Sequence, residues 1–575
     1  MTDRARPGAR HRARRFGAIT VVVALVAAGC SGGEERPEPS APSGAAGTTP
    51  APRADGGADG TTPARPPGPV GTVADALTTC AGDDDVEDPE RRPGAGSAVG
   101  VDDPDVDGAG DPVVPDLGDP GIDVERYDLD LVVDGASIDA RARLEVRLLD
   151  ADGTIALDLL GLDVTSVTVD GDRVPARRDG AKLVIPVDGS DEGQVLDVAV
   201  CYEGEPEAVR SDAIEGAAIG WSGASDGSFV LSEPEGARTW FPANDVPTDK
   251  AAFAISVSVD DGLVAVANGA LVAGPTACTG EVVVDGAAGA EVPTDGTDPC
   301  AGDVPAAAAS VDGRAEFHWR MDAPMAPYLA TVAVGDYERA AYPAVGDVPV
   351  EGWAPVGVAR GLRDLAVQPE VLEVLVDLLG PYPFATYGGV VLPGTPDDVF
   401  LRGVALETQA MAIYAPGTTV ESVIVHETAH QWFGDSVTVE SWRDDLWWVE
   451  GFATYAEWVW LEAGEGVEAY DDAVRGAARL VERSEGRIGR APDDGLFDPL
   501  RYQGGGLVFH ALRREIGEED FVAFLRTFVD RYRHANASTD DLIAVAEEVS
   551  GEDLEGFFTD WLDEPDPDRR PAVPR

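Results

Sequence analysis

The sequence predicts an α+β, multi-domain protein that is β-rich first and mostly α-helical second. Three observations carry this. Apolar residues alternate with a period of two between about residues 121 and 337, Gly and Asp turns separate those runs, and helical apolar stripes dominate residues 338–570. No internal repeat of solenoid or propeller period is present. At 575 residues there is room for roughly two to four domains with large cores. The formal net charge of −62 excludes a general nucleic-acid binder, which needs a basic face for phosphates. Lys182 and Lys250 are the only lysines, so positive charge is almost all Arg, as a GC-rich genome or a salt-adapted, self-repelling surface would give.

Taken in order, residues 1–30 are a leader. Arg4, Arg6, Arg10, Arg12, Arg14 and Arg15 form a basic region, Ala18 to Ala28 is an apolar run too short to span a bilayer, and Ala27-Ala28-Gly29 precede Cys30. This resembles a bacterial lipoprotein signal, with Cys30 as the acylated first residue, although Ala27 stands where such signals usually carry Leu. An ordinary cleaved secretory signal and a short membrane anchor are the alternatives. All three imply export, either anchored in the cell membrane through Cys30 or secreted. Residues 31–120 are rich in Pro, Gly, Ala, Asp, Ser and Thr and nearly free of aromatics, so they are expected to form a disordered tether. In an oxidising compartment Cys80, Cys201, Cys278 and Cys300 allow three pairings. Cys278 with Cys300 is the preferred bridge, closing a Gly-, Asp- and Ala-rich excursion.

Strands are expected at Tyr127 to Leu131, Arg141 to Leu149, Leu160 to Val169 and Leu196 to Tyr202. Beyond Tyr337, helices are expected at Val371 to Leu379, 420–433, Leu446 to Ala463, Gly505 to Arg514 and Phe521 to Tyr532, with a strand at Val390 to Leu392. For the helix at 420–433, Pro416 and Gly417 break what precedes, Thr418 and Glu421 read as a capping box, and Gly434 ends the run.

That helix carries the chemistry. His426-Glu427-Thr428-Ala429-His430 places two imidazoles one turn apart on one face, as two ligands of one tetrahedral ion require. Glu427 then faces the ion's water, and Glu450 supplies a third ligand. Only six His occur in the chain, so coincidence is a poor explanation. The alternative is a His pair making ordinary hydrogen bonds. A zinc ion with three protein ligands polarises a carbonyl and brings its water's pKa towards neutrality, which points to acyl-bond hydrolysis with Glu427 as general base. Zinc is inferred from ligand type, since cobalt or manganese fits similar sites. Glu457 follows Glu450 at helical spacing and either reaches back to a ligand His or sits on a solvated face. His510 is expected to be a packed core residue, and His318 and His534 have no motif around them.

His426 to Asp435 and Glu450 to Tyr455 resemble the zinc motif of the aminopeptidase N family of metallopeptidases. Val404-Ala405-Leu406-Glu407-Thr408, preceded by Gly403, resembles its exopeptidase motif, usually Gly-Ala-Met-Glu-Asn. Further matches are Ser232 to Arg238, Trp240-Phe241-Pro242 with Asp249-Lys250-Ala251, and Tyr502-Gln503-Gly504-Gly505 leading to His510-Ala511-Leu512-Arg513. The resemblance implies a β-rich, saddle-like N-terminal domain, a thermolysin-like catalytic domain and one Zn2+ held by His426, His430 and Glu450. It further implies that Glu407 and Glu233 bind the α-amine of a peptide with a free N-terminus, and that Tyr502 donates to the oxyanion. Without the resemblance, Glu233 and Glu407 read as ordinary solvated or paired carboxylates and Tyr502 as a core edge. Three departures stand out. Nineteen residues separate His430 from Glu450, one more than usual, with the extra one within Trp442 to Trp447. An insertion in the preceding loop leaves the ligands in place, whereas one inside the helix is expected to turn Glu450 away by about 100°. Val449 and Thr408 replace motif Asn residues, and Gly504 stands where Lys is frequent. The resulting expectation is an exported, lipid-anchored zinc aminopeptidase. The rivals are a zinc-binding surface protein of the same fold without turnover, and epoxide hydrolysis as in one animal branch of the family.

Overall fold

The computed structural model describes residues 72–80, 108–214, 216–224, 227–274, 313–394, 403–492, 495–567 and 570–573. The leader, Cys30 and the Cys278–Cys300 bridge lie outside the described residues. Among those described, no helix is long and apolar enough to cross a membrane.

The alternation read in the sequence builds an eight-stranded sheet. Its order is Ala270–Ala273, Arg314–Met325, Ala251–Asp260, Ile122–Asp134, Ser137–Leu148, Val195–Gly204, Asp163–Val169 and Asp172–Arg173. Along Ser137–Leu148, Ile138, Ala140, Ala142, Leu144 and Val146 are buried, while the charged residues between them face outward. The register sets Leu129 opposite Ala142 and Leu131 opposite Ala140, so both strands present apolar side chains to the same core. The strand expected from Leu160 starts only at Asp163, because Leu160 to Leu162 form a turn through Gly161 at φ 67°. A five-stranded sheet (Val264–Ala267, Val332–Gly335, Gly227–Leu231, Ala217–Ala224, Val209–Ser211) and a three-stranded one (Thr154–Asp158, Lys182–Pro186, Arg177–Asp179) complete the β-rich part.

The expected boundary at residue 337 falls between sheets. Val332–Gly335 belongs to the β-rich part, and Tyr337–Val345 opens the next sheet, ordered Tyr337–Val345, Val348–Pro355, Tyr387–Val391, Met411–Tyr414, Ala405–Leu406. Helices follow: α2 (Ala359–Leu365), α3 (Gln368–Leu379), α4 (Glu421–His430), α5 (Trp442–Glu465), α6 (Val467–Val481), α7 (Gly505–Ile516), α8 (Glu518–Arg531), α9 (Thr539–Ser550) and α10 (Glu555–Leu562), with α1 (Val73–Leu77) far upstream. The capping box expected at Thr418 and Glu421 is absent. Val420 is the N-cap and offers no side-chain acceptor, and the Thr418 hydroxyl instead donates to the Ala415 carbonyl at 2.8 Å.

The disordered tether expected over residues 31–120 is corrected in two places. α1 packs on the large sheet, where Val73 is fully buried and its N–H donates to Glu316, and Cys80 is disulfide-bonded to Cys201 on the Val195–Gly204 strand. Val114 and Leu117 are buried, and the Gly118 N–H donates to Asp158 at 2.8 Å. A few apolar residues suffice once a bridge holds them against a preformed sheet, although the segment's composition could not form a core alone.

Both lysines have structural partners. Lys182, 1% exposed, pairs with the fully buried Asp158 at 2.6 Å and donates to the Gly118 carbonyl. Lys250 extends from the β-rich part to the Asp435 and Ser436 carbonyls, at 2.8 and 3.0 Å, just past α4. Beside the Lys182 pair, burial and the neighbouring Asp158 push the Asp245 carboxyl up to about 8, against the lowering effect of the Arg238 N–H. Folded Asp245 therefore keeps a proton that the unfolded chain releases near pH 4, and its contribution to stability, complete below that pH, declines as pH rises towards 8. Asp245→Asn should remove this decline. The stability difference between variant and wild type, followed by denaturant melts from pH 5 to pH 8, should shift in the variant's favour by up to about 1.4 kcal/mol per pH unit.

Candidate metal centre and active site

α4 and α5 pack side by side, and α5 lies against α7 where Gly451 and Gly505 meet. A Cβ on Gly451 would stand 2.5 Å from the Gly505 Cα, so the two backbones touch and side chains are excluded there. This contact fixes which face of α5 turns to α4. As a result Glu450 Oε2 lies 3.1 Å from His426 Nε2 and 3.5 Å from His430 Nε2.

Those separations fit a metal. Ligands at 2.0–2.1 Å from a tetrahedral ion are roughly 3.3 Å apart along each edge. The remaining ring nitrogens are already engaged: His426 Nδ1 lies 3.0 Å from Glu457 Oε1, and His430 Nδ1 lies 3.0 Å from the Phe433 carbonyl. Donation from Nδ1 leaves the Nε2 lone pair of each ring to face Glu450, the tautomer a metal requires. Glu457 thus takes the ligand-orienting role rather than the solvated one. Electrostatics agree. Burial disfavours the charged form of both imidazoles, yet Glu450, with Glu457 at His426 and Glu407 at His430, raises both above the usual histidine range. Glu450 is held down to about 2 despite its burial by both imidazoles in their protonated form, which turn N–H groups and positive charge towards it in place of the lone pairs. A field that favours two protonated imidazoles is one that favours a cation. The donor set of two imidazoles and one carboxylate is that of a catalytic zinc site.

The extra residue does not displace Glu450. Trp442 to Trp447 is helical, since α5 begins at Trp442 and is capped by the Ser441 hydroxyl, which accepts from the Asp444 N–H. The expected 100° turn would follow if α5 were anchored at its N-terminus alone. α5 is held at both places, by Trp442 and Asp445 at its start and by Gly451 against Gly505, and with both in place Glu450 still faces the imidazoles.

The other expected residues gather around this centre. Glu427 is buried on α4, and burial, Glu407 and Glu450 push its carboxyl up to about 8 against the two imidazoles. Glu407, 3% exposed, follows the edge strand Ala405–Leu406. One of its oxygens, a Glu427 oxygen and a His430 ring nitrogen all lie within 4.8 Å of one another. Its Oε1 has no hydrogen-bond partner among the described residues. Glu233, at a cis Glu233–Pro234 peptide, is raised well above the carboxylate range by burial and by Glu407, Glu450 and Glu427, which places it in the same acidic field. Tyr502 sits on a π-helical turn, Leu500–Gly504, with its ring stacked 5.8 Å from that of His426. Burial and the same carboxylates hold its phenol protonated.

His510 is a core residue, as expected, hydrogen-bonded to the Tyr470 hydroxyl at 2.7 Å, and His318 pairs with Ser256 on the large sheet. The sequence reading missed two supports of α4. Tyr387 and Thr428 hydroxyls meet at 2.7 Å, and Gln431 binds the backbone on either side of the turn after Glu407. Gln431 directly follows the second imidazole, and its position was the one signal available.

Comparison with known proteins matches residues 403–561 to the Peptidase family M1 domain and residues 124–285 to the Peptidase M1 N-terminal domain. "Probable aminopeptidase 2" of Sulfurisphaera tokodaii is 24% identical over 466 residues, covering 77% of this chain and 53% of that protein. "Aminopeptidase M1-B" of Oryza sativa subsp. japonica is 26% identical over 57% of this chain and 36% of its own length. The chain thus spans about half, or less, of the length of these relatives. A crystal structure of an M1 zinc metallopeptidase from Deinococcus radiodurans is 28% identical, covers 81% of this chain and 99% of its own, and superposes with a TM-score of 0.69. A variant of that protein bound to a Tyr-Ser-Ala substrate superposes with a TM-score of 0.68, covering 81% of this chain and 99% of its own at 28% identity.

Removing the carboxylate behind His426 should weaken the metal without removing a ligand. Glu457→Gln is expected to lower zinc affinity about 10- to 100-fold, read by competition with a chromogenic chelator.

Proposed function

Because the chain belongs to peptidase family M1, the zinc metallopeptidases that include aminopeptidase N, we propose that it is an aminopeptidase releasing residues one at a time from peptides with a free N-terminus. The observation that carries this reading is the spacing of three acidic functions in one buried cluster. Glu450 faces both imidazoles, Glu427 lies beside them, and the unpartnered Glu407 oxygen is within 4.8 Å of Glu427 and His430.

Bound zinc supplies Lewis-acid polarisation of the scissile carbonyl and a water acidified towards neutrality. The chain's own residues do the rest. Glu407 and Glu233 offer negative charge to the α-ammonium at the end of a peptide, so that the first peptide bond, and no later one, lies over the metal ligands. Their mutual repulsion in a buried site is relieved by that ammonium. Glu427 takes a proton at its carboxylate and returns it to the leaving nitrogen, a task suited to a carboxyl raised towards neutral pH. The Tyr502 hydroxyl, kept protonated, donates to the carbonyl oxygen as negative charge grows on it. Support for the amine reading comes also from the Deinococcus radiodurans protein, whose variant is described with a Tyr-Ser-Ala substrate.

The rival reading, a zinc-binding surface protein without turnover, had its best support in the extra residue before Glu450, which could have turned that carboxylate away from the imidazoles. No such displacement is present, and that rival loses its specific support. Export and a lipid on Cys30 belong to the same proposal and rest on the basic, apolar and small-residue pattern of residues 1–30.

Hydrolysis of aminoacyl-anilides by the protein lacking residues 1–30 tests the reading. Turnover is expected with free-amine substrates, to be absent with their N-acetyl forms, and to disappear with a chelator. Glu427→Gln should lower kcat at least about 10³-fold with zinc retained, and Tyr502→Phe about 10²- to 10³-fold. No release by a folded, zinc-loaded protein would refute it. For the anchor, intact-mass and membrane-fraction analysis of the exported protein should show a lipid that is lost in Cys30→Ser.

A further inference from the structure

Gln431 is fully buried at the C-terminal end of α4, one residue past the second imidazole. Its Nε2 donates to the Glu407 carbonyl at 2.9 Å. Its Oε1 accepts the Ala410 N–H at 2.8 Å and the Tyr382 hydroxyl at 3.3 Å. One side chain thus spans the turn from Glu407 to Ala410 and ties both ends of it to the helix that carries the imidazoles.

That turn requires an external hold. Ala410 has φ 63°, in the left-handed region that a residue with a Cβ adopts at a cost. Leu406, immediately before the turn, ends a two-residue edge strand, so sheet bonding alone secures little of it. On the other side Gln409 is tied to the β-rich part, its carbonyl accepting from Asn268 at 3.0 Å. Among the described residues, the side-chain hydrogen bond from α4 to the Glu407 backbone is that of Gln431. A carboxylate selecting an ammonium beside the metal must keep its separation from the imidazoles within a fraction of an ångström.

We propose that Gln431 is a positioning residue for free-amine recognition: by bonding both ends of the Glu407–Ala410 turn it sets the Glu407 carboxylate against the imidazole pair without touching substrate. This rests on the amine-binding reading of Glu407 given above.

The test is a double-mutant cycle on the zinc-loaded protein lacking residues 1–30, using Gln431→Met, Glu407→Gln and the double variant. Calorimetry measures affinity for L-alaninamide and N-acetyl-L-alaninamide, with zinc content by elemental analysis and kcat and KM for alanine p-nitroanilide alongside. Gln431→Met is expected to retain zinc, lower the preference for the free amine about tenfold, and raise KM by more than it lowers kcat. In the Glu407→Gln background the same change should alter the preference by less than about twofold, because the group it positions is already gone. If Gln431→Met does not fold, Gln431→Glu carries the comparison, since it keeps an acceptor for Ala410 and loses the donor to Glu407. An unchanged preference in the single variant, additive effects in the cycle, or loss of zinc with preference intact overturns the proposal. A wild-type protein that binds both amides equally overturns the amine reading of Glu407 and this inference with it; a wild-type preference that Gln431→Met leaves intact overturns this inference alone.

Discussion

The backbone contact between Gly451 and Gly505 is the constraint on which the site depends. Two helices, α5 and α7, meet there, and a Cβ on Gly505 would stand 2.2 Å from the Trp447 carbonyl oxygen. A side chain at either position would have to move α5 as a rigid rod, and a shift of a few tenths of an ångström there is carried directly to Glu450. The same packing brings the turn bearing Tyr502 over His426, because that turn runs without a break into α7. One close approach therefore sets the third ligand and the phenol together.

Around that scaffold the protein buries more negative charge than it neutralises by itself. Glu233, Glu407, Glu427 and Asp435 each have a carboxyl pushed up by burial and by one another. Such an arrangement is unfavourable for the isolated fold and becomes favourable when a cation enters. Two cations would meet that need: the metal and, on the function proposed above, the terminal ammonium of a peptide. The acidity of the chain as a whole is a separate matter, lying mostly on an exposed surface where solvent screens it.

Much of this was legible in the sequence, for identifiable reasons. The ligand helix, its base and the third ligand follow from i, i+4 spacing and a helical phase, and Glu457 from the same phase seven residues on. The change of period read near Tyr337 coincides with a change of sheet between Val332–Gly335 and Tyr337–Val345. What could not be read depends on contacts distant in sequence. The effect of the additional residue before Glu450 hinged on how α5 is held, which depends on contacts with Asp111, Thr539 and Gly505 far away in sequence. Cys80 and Cys201 lie 121 residues apart, and no local pattern pairs them. Thr418 looked like a cap because its spacing to Glu421 is right, but the chain begins its helix at Glu421, after an uncapped Val420. The Gln431 clamp needs the position of a loop that the zinc motif does not encode.

The Cys80–Cys201 bridge also decides how the molecule carries load. Tension applied to the chain upstream of residue 72 meets the fold first at α1, and beyond it passes at Cys80 through sulfur to Cys201, on a strand flanked on both sides within the eight-stranded sheet. A pull from that side is therefore resisted by the hydrogen-bond ladders on both edges of the Val195–Gly204 strand, which must give way together.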